Sequence, residues 1–264
     1  MSCITLLSDF GLQDASVANA KGVLMQYVPE AQYVDISHLV EPHNIQQAAY
    51  LLLTVFRNFP KGTCHVLLFD VFGESTPRLI LCEYEGQYIL APDNGILSMA
   101  FGTDLKQVWV CFELRPPGIF SDWLHEIGQK VAALQNSQPK GLRLPAATLK
   151  VATQKWLPII NDHILECHVI HIDHYQNVVI NLTRQQFNEI GQGRPFRIEF
   201  ARNEVVRTLT PHIYSVAEGE KLCRFNATGF LEICINRGKA ASLFGLRLYR
   251  AESFIYNTIK IYFG

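Results

Sequence analysis

The chain has 264 residues, 48% hydrophobic and 18% charged, which is enough to bury a large core and too apolar for a disordered segment. Its formal net charge is -1, so no basic field marks it for nucleic acid, and no RNP, zinc-finger or Walker pattern occurs. Asp9 interrupts the short apolar run at the start, so this run does not read as a signal peptide; no stretch of about 18 apolar residues suggests a membrane span, and a cytoplasmic protein with no membrane partner is expected.

Residues 4–7 form a β-prone apolar run, followed at its carboxyl end by Ser8, Asp9, Phe10 and Gly11. Asp14 is placed to cap a helix over 15–27, which Pro29 stops. A second strand is predicted over 33–36, then a loop, SHLVEPHN, carrying His38, Pro42 and His43. Ile45, Ala48, Ala49, Leu52, Leu53 and Phe56 recur at helical spacing and give the second helix one apolar face. The third strand, 65–69, runs directly into Asp70. Strands over 79–84 and 87–91 are joined through Glu85-Gly86 as a hairpin, and the Asp93-Asn94-Gly95 turn precedes a short helix from Ile96. A strand at 108–112 and a helix at 123–134, with Trp123, Ile127, Val131 and Leu134 on one face, complete this half. The alternation predicts an α/β domain with a mostly parallel sheet covered by helices.

Between 135–144 and Asn161 the composition turns polar, and the boundary of two domains, 1–150 and 160–264, is placed there. Short β-like runs follow at 168–172, 178–181, 196–200, 204–209, 222–225, 230–235 and 254–262, which predicts an all-β, barrel-like second domain. The seven cysteines are odd in number and contain no CxxC pair, so they read as buried reduced thiols.

Asp9, Asp70 and Asp93 fall at predicted strand ends, where an open α/β sheet binds its ligands. Ordinary turn and capping chemistry explains the same residues, and on spacing both readings stay open. His168, His171, Asp173 and His174 tempt a metal reading. Strand alternation, however, would put His168 and His174 on one face and His171 and Asp173 on the other, so no metal site is expected. His125-Glu126 does not continue to HExxH, and no GxSxG or GxGxxG occurs.

The opening ITLLSDFGLQDASVANAKGVL resembles the S-adenosylmethionine (SAM) hydroxide adenosyltransferases, a family that includes SAM-dependent chlorinases and fluorinases. The resemblance continues in order through YVDISHLVEPHNIQQAAYLL, FPKGTCHVLLFD, ILAPDNGIL, VIHIDHYQNVVINL and YSVAEGEKLCRFNATGFLEICINRGKAASLFGL. It implies a homotrimer with sites between subunits, SAM or adenosine as the small-molecule partner, and no cofactor besides SAM as substrate. It also implies attack of a water-derived nucleophile on C5′ of SAM, giving adenosine and methionine.

By position, Asp9 resembles the residue that grips the ribose hydroxyls, Asp14 and Ser16 the contacts to the methionine end, and Asp173 a second anion for its ammonium. Tyr175 resembles an aromatic packed on adenine, Asn177 a hydrogen bond to its edge, and Asn236-Arg237-Gly238 a purine-contacting turn. The family's water-handling set is Asp, Arg and His. Asp70 matches the Asp; Pro77 falls on the Arg position, with Arg78 next to it; Trp123 falls on the His position, with His125 two residues later. The expected catalytic set is therefore Asp70, Arg78 and His125. The alternatives are a SAM- or adenosine-binding homologue without catalysis and a halide-dependent 5′-adenosyltransferase, which Asp70 disfavours because a carboxylate repels a halide.

Overall fold

A computed structural model describes residues 3–71, 73–102, 105–114, 119–136, 139–152, 157–161, 164–201, 204–249 and 257–264. The chain divides into two units, Met1–Thr153 and Gln154–Gly264. The first runs β1 (Cys3–Ser8), α1 (Ser16–Tyr27), β2 (Gln32–Ser37), α2 (Ile45–Phe56), β3 (Cys64–Leu68), β4 (Arg78–Tyr84), β5 (Gln87–Pro92), α3 (Ile96–Phe101), β6 (Val108–Glu113) and α4 (Phe120–Asn136).

Its strands form one sheet in the order β2-β1-β3-β5-β4-β6. The pairs β1/β2, β1/β3 and β3/β5 are parallel, while β4 pairs antiparallel with both β5 and β6. The sheet is thus mixed, because the β4–β5 hairpin turns the chain back within it. Glu85 (φ 49°) and Gly86 (φ 77°) form the two-residue turn that such a hairpin requires. On one face Ile4, Leu6, Val66 and Leu68 pack with Leu24 of α1 and with Trp123, Ile127 and Val131 of α4. On the other, Phe56 of α2 meets Phe101 of α3 and the ring of His65. The predicted apolar face of α4 is therefore the face that is buried.

Residues 145–152 return along this sheet as a strap. Ala146 bridges to Trp109, Ala147 N donates to Val108 O (2.9 Å), and Ala152 N donates to the hydroxyl of Ser98 in α3 (3.1 Å).

The second unit contains β7 (Ile159–Asn161), β8 (Ile164–Cys167), β9 (Val169–Ile172), β10 (Val178–Thr183), α5 (Arg184–Gly191), β11 (Phe196–Ala201), β12 (Glu204–Val206), β13 (Lys221–Phe225), β14 (Phe230–Ile235), α6 (Ala240–Phe244) and β15 (Ile259–Phe263). Two antiparallel sheets, β13-β14-β10-β9 and β12-β11-β15-β8-β7, share one core built from Val169, Ile180, Ile198, Leu231, Ile233 and Ile261, among others. The expectation of an all-β half is corrected by α5 and α6. α5 forms because Thr183 and Gln186 make a reciprocal capping box that satisfies its first amides. The run predicted at 204–209 shortens to β12, and Leu209 makes only an isolated bridge to Cys223. His168 drops out of its predicted strand, its amide donating to the Asn181 side chain (2.8 Å). Residues 254–256 of the last predicted strand lie outside the described residues.

Candidate functional site

Ser8 and Leu68, the last residues of β1 and β3, are in register on adjacent parallel strands. Asp9 and Asp70 consequently emerge at the same sheet edge, where ligands of open α/β sheets bind. Asp70 is held at φ 46° and His43, from the segment between β2 and α2, at φ 61°. His43 Nδ1 lies 2.8 Å from Asp70 Oδ1. Asp9, Phe10, Ser16, His43, Asp70, Val71, Gly73 and Phe120 line an open cavity of 460 Å³. Phe10 and Phe120 meet edge to face there, with ring centroids 5.4 Å apart. Gly73 lets this carboxylate pack close, since a Cβ on it would lie 2.6 Å from Asp70 Oδ2 and would displace the Asp70 side chain.

Burial pushes the Asp9 carboxyl above its ordinary range, and the Asp70 charge adds to this against hydrogen bonds from the backbone of Asp9, His43 and Asp70. None of the described lining residues is lysine or arginine. Two carboxylates, an imidazole and two phenyl rings suit a small ligand that is cationic and partly apolar.

The Asp9 turn is braced from behind. The buried Ser8 hydroxyl is 2.6 Å from His38 Nδ1, and Gly11 N donates to His38 O (2.7 Å). His38 Nε2 is 3.1 Å from Asp35, which binds Lys21 Nζ at 2.6 Å. Asp14 is not the N-cap expected of it. α1 begins one residue later, with Ala15 at the cap and no side-chain cap bond. The exposed Asp14 carboxylate accepts Ser16 N (2.8 Å), and this bond, with one from the Ser16 hydroxyl, holds its carboxyl below the usual range. Ser16 lines the cavity; Asp14 is not among the lining residues.

Arg78 and His125 do not line the cavity either. Arg78 pairs with the buried carboxylate of Asp93, whose other oxygen accepts Lys150 N (2.9 Å). It borders only a small neighbouring recess, shared with Asp70, Glu74, Pro77, Asp93 and Asn94. Pro77 is buried, and its carbonyl accepts Leu114 N (2.9 Å). Asn94 donates to Phe69 O (3.0 Å) and so ties the Asp93-Asn94-Gly95 turn to the residue before Asp70. Gly95, at φ 98°, lies against the strap, and a Cβ there would come within 2.7 Å of Ala152 Cα. Trp123 is wholly buried on the core face of α4. His125, two residues on, points instead to α1, with Nδ1 3.0 Å from Tyr27 Oη.

In the second unit, Asp173, Tyr175 and Asn177 lie together in the β9–β10 turn. Asp173 accepts both the amide (2.8 Å) and the side-chain Nδ2 (2.9 Å) of Asn177, so these two satisfy one another in part. Gln176, at φ 66°, ties the turn to α6 by accepting from Ala241 N and from the Ser242 hydroxyl. Tyr175 is 75% exposed. Arg237, at φ 54°, pairs with Glu218 at 3.3 Å, and Asn236 donates to Val216 O (2.8 Å).

His43 is the cavity residue that the sequence pattern does not single out, since it falls in the predicted loop before the second helix. Its signal was its place after the second strand and directly before Asn44, which caps α2 by accepting Gln47 N (3.0 Å). Among the described residues no group of three or more His, Cys, Asp or Glu could hold a metal ion, and no helix is long and apolar enough to cross a membrane. All seven cysteines are free thiols.

Comparison with known proteins identifies two matched regions. Residues 4–125 match the family model for the SAM hydroxide adenosyltransferase N-terminal domain, and residues 167–251 match that for its C-terminal domain. An (R)-S-adenosyl-L-methionine hydrolase of Thermus thermophilus is 27% identical, over 94% of this chain and 97% of its own. One of Methanocaldococcus jannaschii is 26% identical, over 97% of each chain. A fluorinase of Nocardia brasiliensis is 23% identical, over 92% of this chain and 93% of its own. Among solved structures, a conserved protein of Thermotoga maritima shares the fold with a TM-score of 0.78 at 24% identity, covering 98% of this chain and 99% of that one.

Proposed function

The chain belongs to the SAM hydroxide adenosyltransferase family, and from that membership we propose that it cleaves SAM with water at C5′, releasing adenosine and methionine. The observation that carries this reading is the pair Asp9 and Asp70, two carboxylates from adjacent parallel strands facing one cavity without a lysine or arginine among its described lining residues. Such a cavity favours a sulfonium cation, and the Phe10 and Phe120 rings shield its apolar surroundings.

The chemistry asks little of the protein. The sulfonium is already an activated leaving group, so the C5′–S bond breaks with its electron pair going to sulfur and no general acid is required. The enzyme has to hold C5′ in line with the water, exclude competing solvent and remove one proton from the attacking oxygen. We assign Asp9 to the ribose hydroxyls, since one carboxylate accepts two hydrogen bonds, and Asp70 to activation of the water. Ser16 and Asp14 are assigned to the methionine end. Arg78 serves at one remove, by neutralising Asp93 beneath the Asp70 turn. The second unit, which we read as barrel-like, would offer Asp173, Tyr175, Asn177 and Arg237 to a site on a neighbouring subunit of a homotrimer. A monomer by light scattering would remove that part of the reading.

The relatives' names specify the (R) sulfonium epimer, so the test uses both epimers. Purified protein is incubated with (R)- or (S)-SAM, with and without chloride, and products are separated by chromatography. Adenosine and methionine from the wild type, absent with Asp70→Ala, are expected. No product with either epimer would overturn the reading, and a chloride-dependent 5′-chloro product would replace water as the nucleophile.

A further inference from the structure

We propose that His43 is the general base of this reaction and that Asp70 acts on the water through it; this rests on the hydrolase reading above. His43 Nδ1 lies 2.8 Å from Asp70 Oδ1, and both residues line the 460 Å³ cavity. An ionised carboxylate only accepts hydrogen bonds, so the proton of the neutral ring sits on Nδ1 and the lone pair on Nε2. A base hydrogen-bonded to a residue that orients it is the arrangement by which a weak nucleophile is activated. The water oxygen bonds to C5′, the C5′–S bond breaks towards sulfur, and the water's proton passes to Nε2. Asp70 stabilises the imidazolium, which then releases its proton to solvent; the His43 side chain is 77% exposed and Asp70 20%.

This assignment also accounts for the fate of the histidine expected on α4. Position 123 is occupied by a core tryptophan and His125 is turned to Tyr27, whereas the segment before α2 delivers an imidazole to the same carboxylate. Among the described residues, two carboxylates face His43: Asp70, from the segment after β3, and Asp9, which accepts a hydrogen bond from the His43 backbone. Both carboxylates favour the imidazolium that the step creates.

His43→Asn tests the proposal, because asparagine tolerates the left-handed backbone at this exposed position and can still donate to Asp70, but cannot take a proton. The expected result is a fall in kcat of about a hundredfold, with SAM affinity by calorimetry changed by less than about threefold. Added imidazole should restore part of the rate, and the kcat/KM profile should show an acid limb in the wild type that the variant lacks. Wild-type kcat and pH profile in His43→Asn would overturn the proposal while leaving the hydrolase reading intact, as would a loss confined to SAM affinity. Absence of turnover in the wild type would instead overturn that reading and this proposal with it.

Discussion

The hydroxyl of Ser8 and the Nδ1 of His38 lie 2.6 Å apart with both side chains buried, at the point where β1 gives way to Asp9. The far side of the imidazole faces Asp35 and, through it, Lys21. Removing the ring leaves a buried hydroxyl to find another partner. His38→Ala is therefore expected to lower the unfolding free energy by about 1–3 kcal/mol in urea titrations. Ser8→Ala in the same background should cost less than it does alone, since the two side chains share one bond.

Arg78 and Asp93 form a pair in which the acid is almost fully enclosed, at 1% side-chain exposure against 29% for the base. Arg78→Ala strands a buried carboxylate and should destabilise the protein by about 3–5 kcal/mol. Adding Asp93→Ala should recover much of that loss. Chemical denaturation of the two single variants and the double variant measures the coupling, and single losses that simply add in the double variant would show that the pair does not brace the turn.

Asp9 gives a pH dependence of a definite sign. Its folded-state carboxyl is raised above 3.8, with burial as the leading cause, so folding favours the protonated form. That stabilisation is complete below the unfolded value and is lost as pH rises through the raised one. At pH 7 Asp9→Asn is therefore expected to be more stable than the wild type, with the gain vanishing in acid. The same variant should bind SAM about tenfold to a hundredfold more weakly, as loss of a charged hydrogen-bond acceptor implies. Thermal melts across pH and calorimetry at neutral pH read the two effects separately.

His125→Ala separates the two histidines. It removes the hydrogen bond to Tyr27 and should cost about 1 kcal/mol of stability, with kcat within about twofold of the wild type. A large loss of turnover at unchanged stability would return His125 to the catalytic set.

Asp9 and Asp70 were legible in the sequence because the rule that finds them is local: an apolar β-run followed at once by an acid. The pairing of Asp70 with His43, 27 residues away, was not. It depends on which strands become neighbours and on two residues adopting positive φ, and neither is a property of a short window. Arg78 and His125 stand one and two residues past the family's Arg and His positions, which Pro77 and Trp123 occupy, and in the fold one is drawn to a buried carboxylate and the other to the helix next door. The helix α5 is hard to read from sequence because RQQFNEIG carries so little apolar character. The Thr183 and Gln186 spacing was the signal available for it.

The strap over residues 145–152 has no helix and makes only a single bridge, yet the amides of Ala147, Lys150 and Ala152 all donate to the body of the unit. In deuterium exchange such a segment behaves as part of the sheet, not as a loop, because its amides open only when their acceptors move. The amide of Lys150 is bonded to the acid that also holds Arg78, beside the turn that Asn94 ties to Phe69. Its exchange rate therefore makes it an isotopic gauge of the Asp70 edge, one that a ligand can slow without touching the strap.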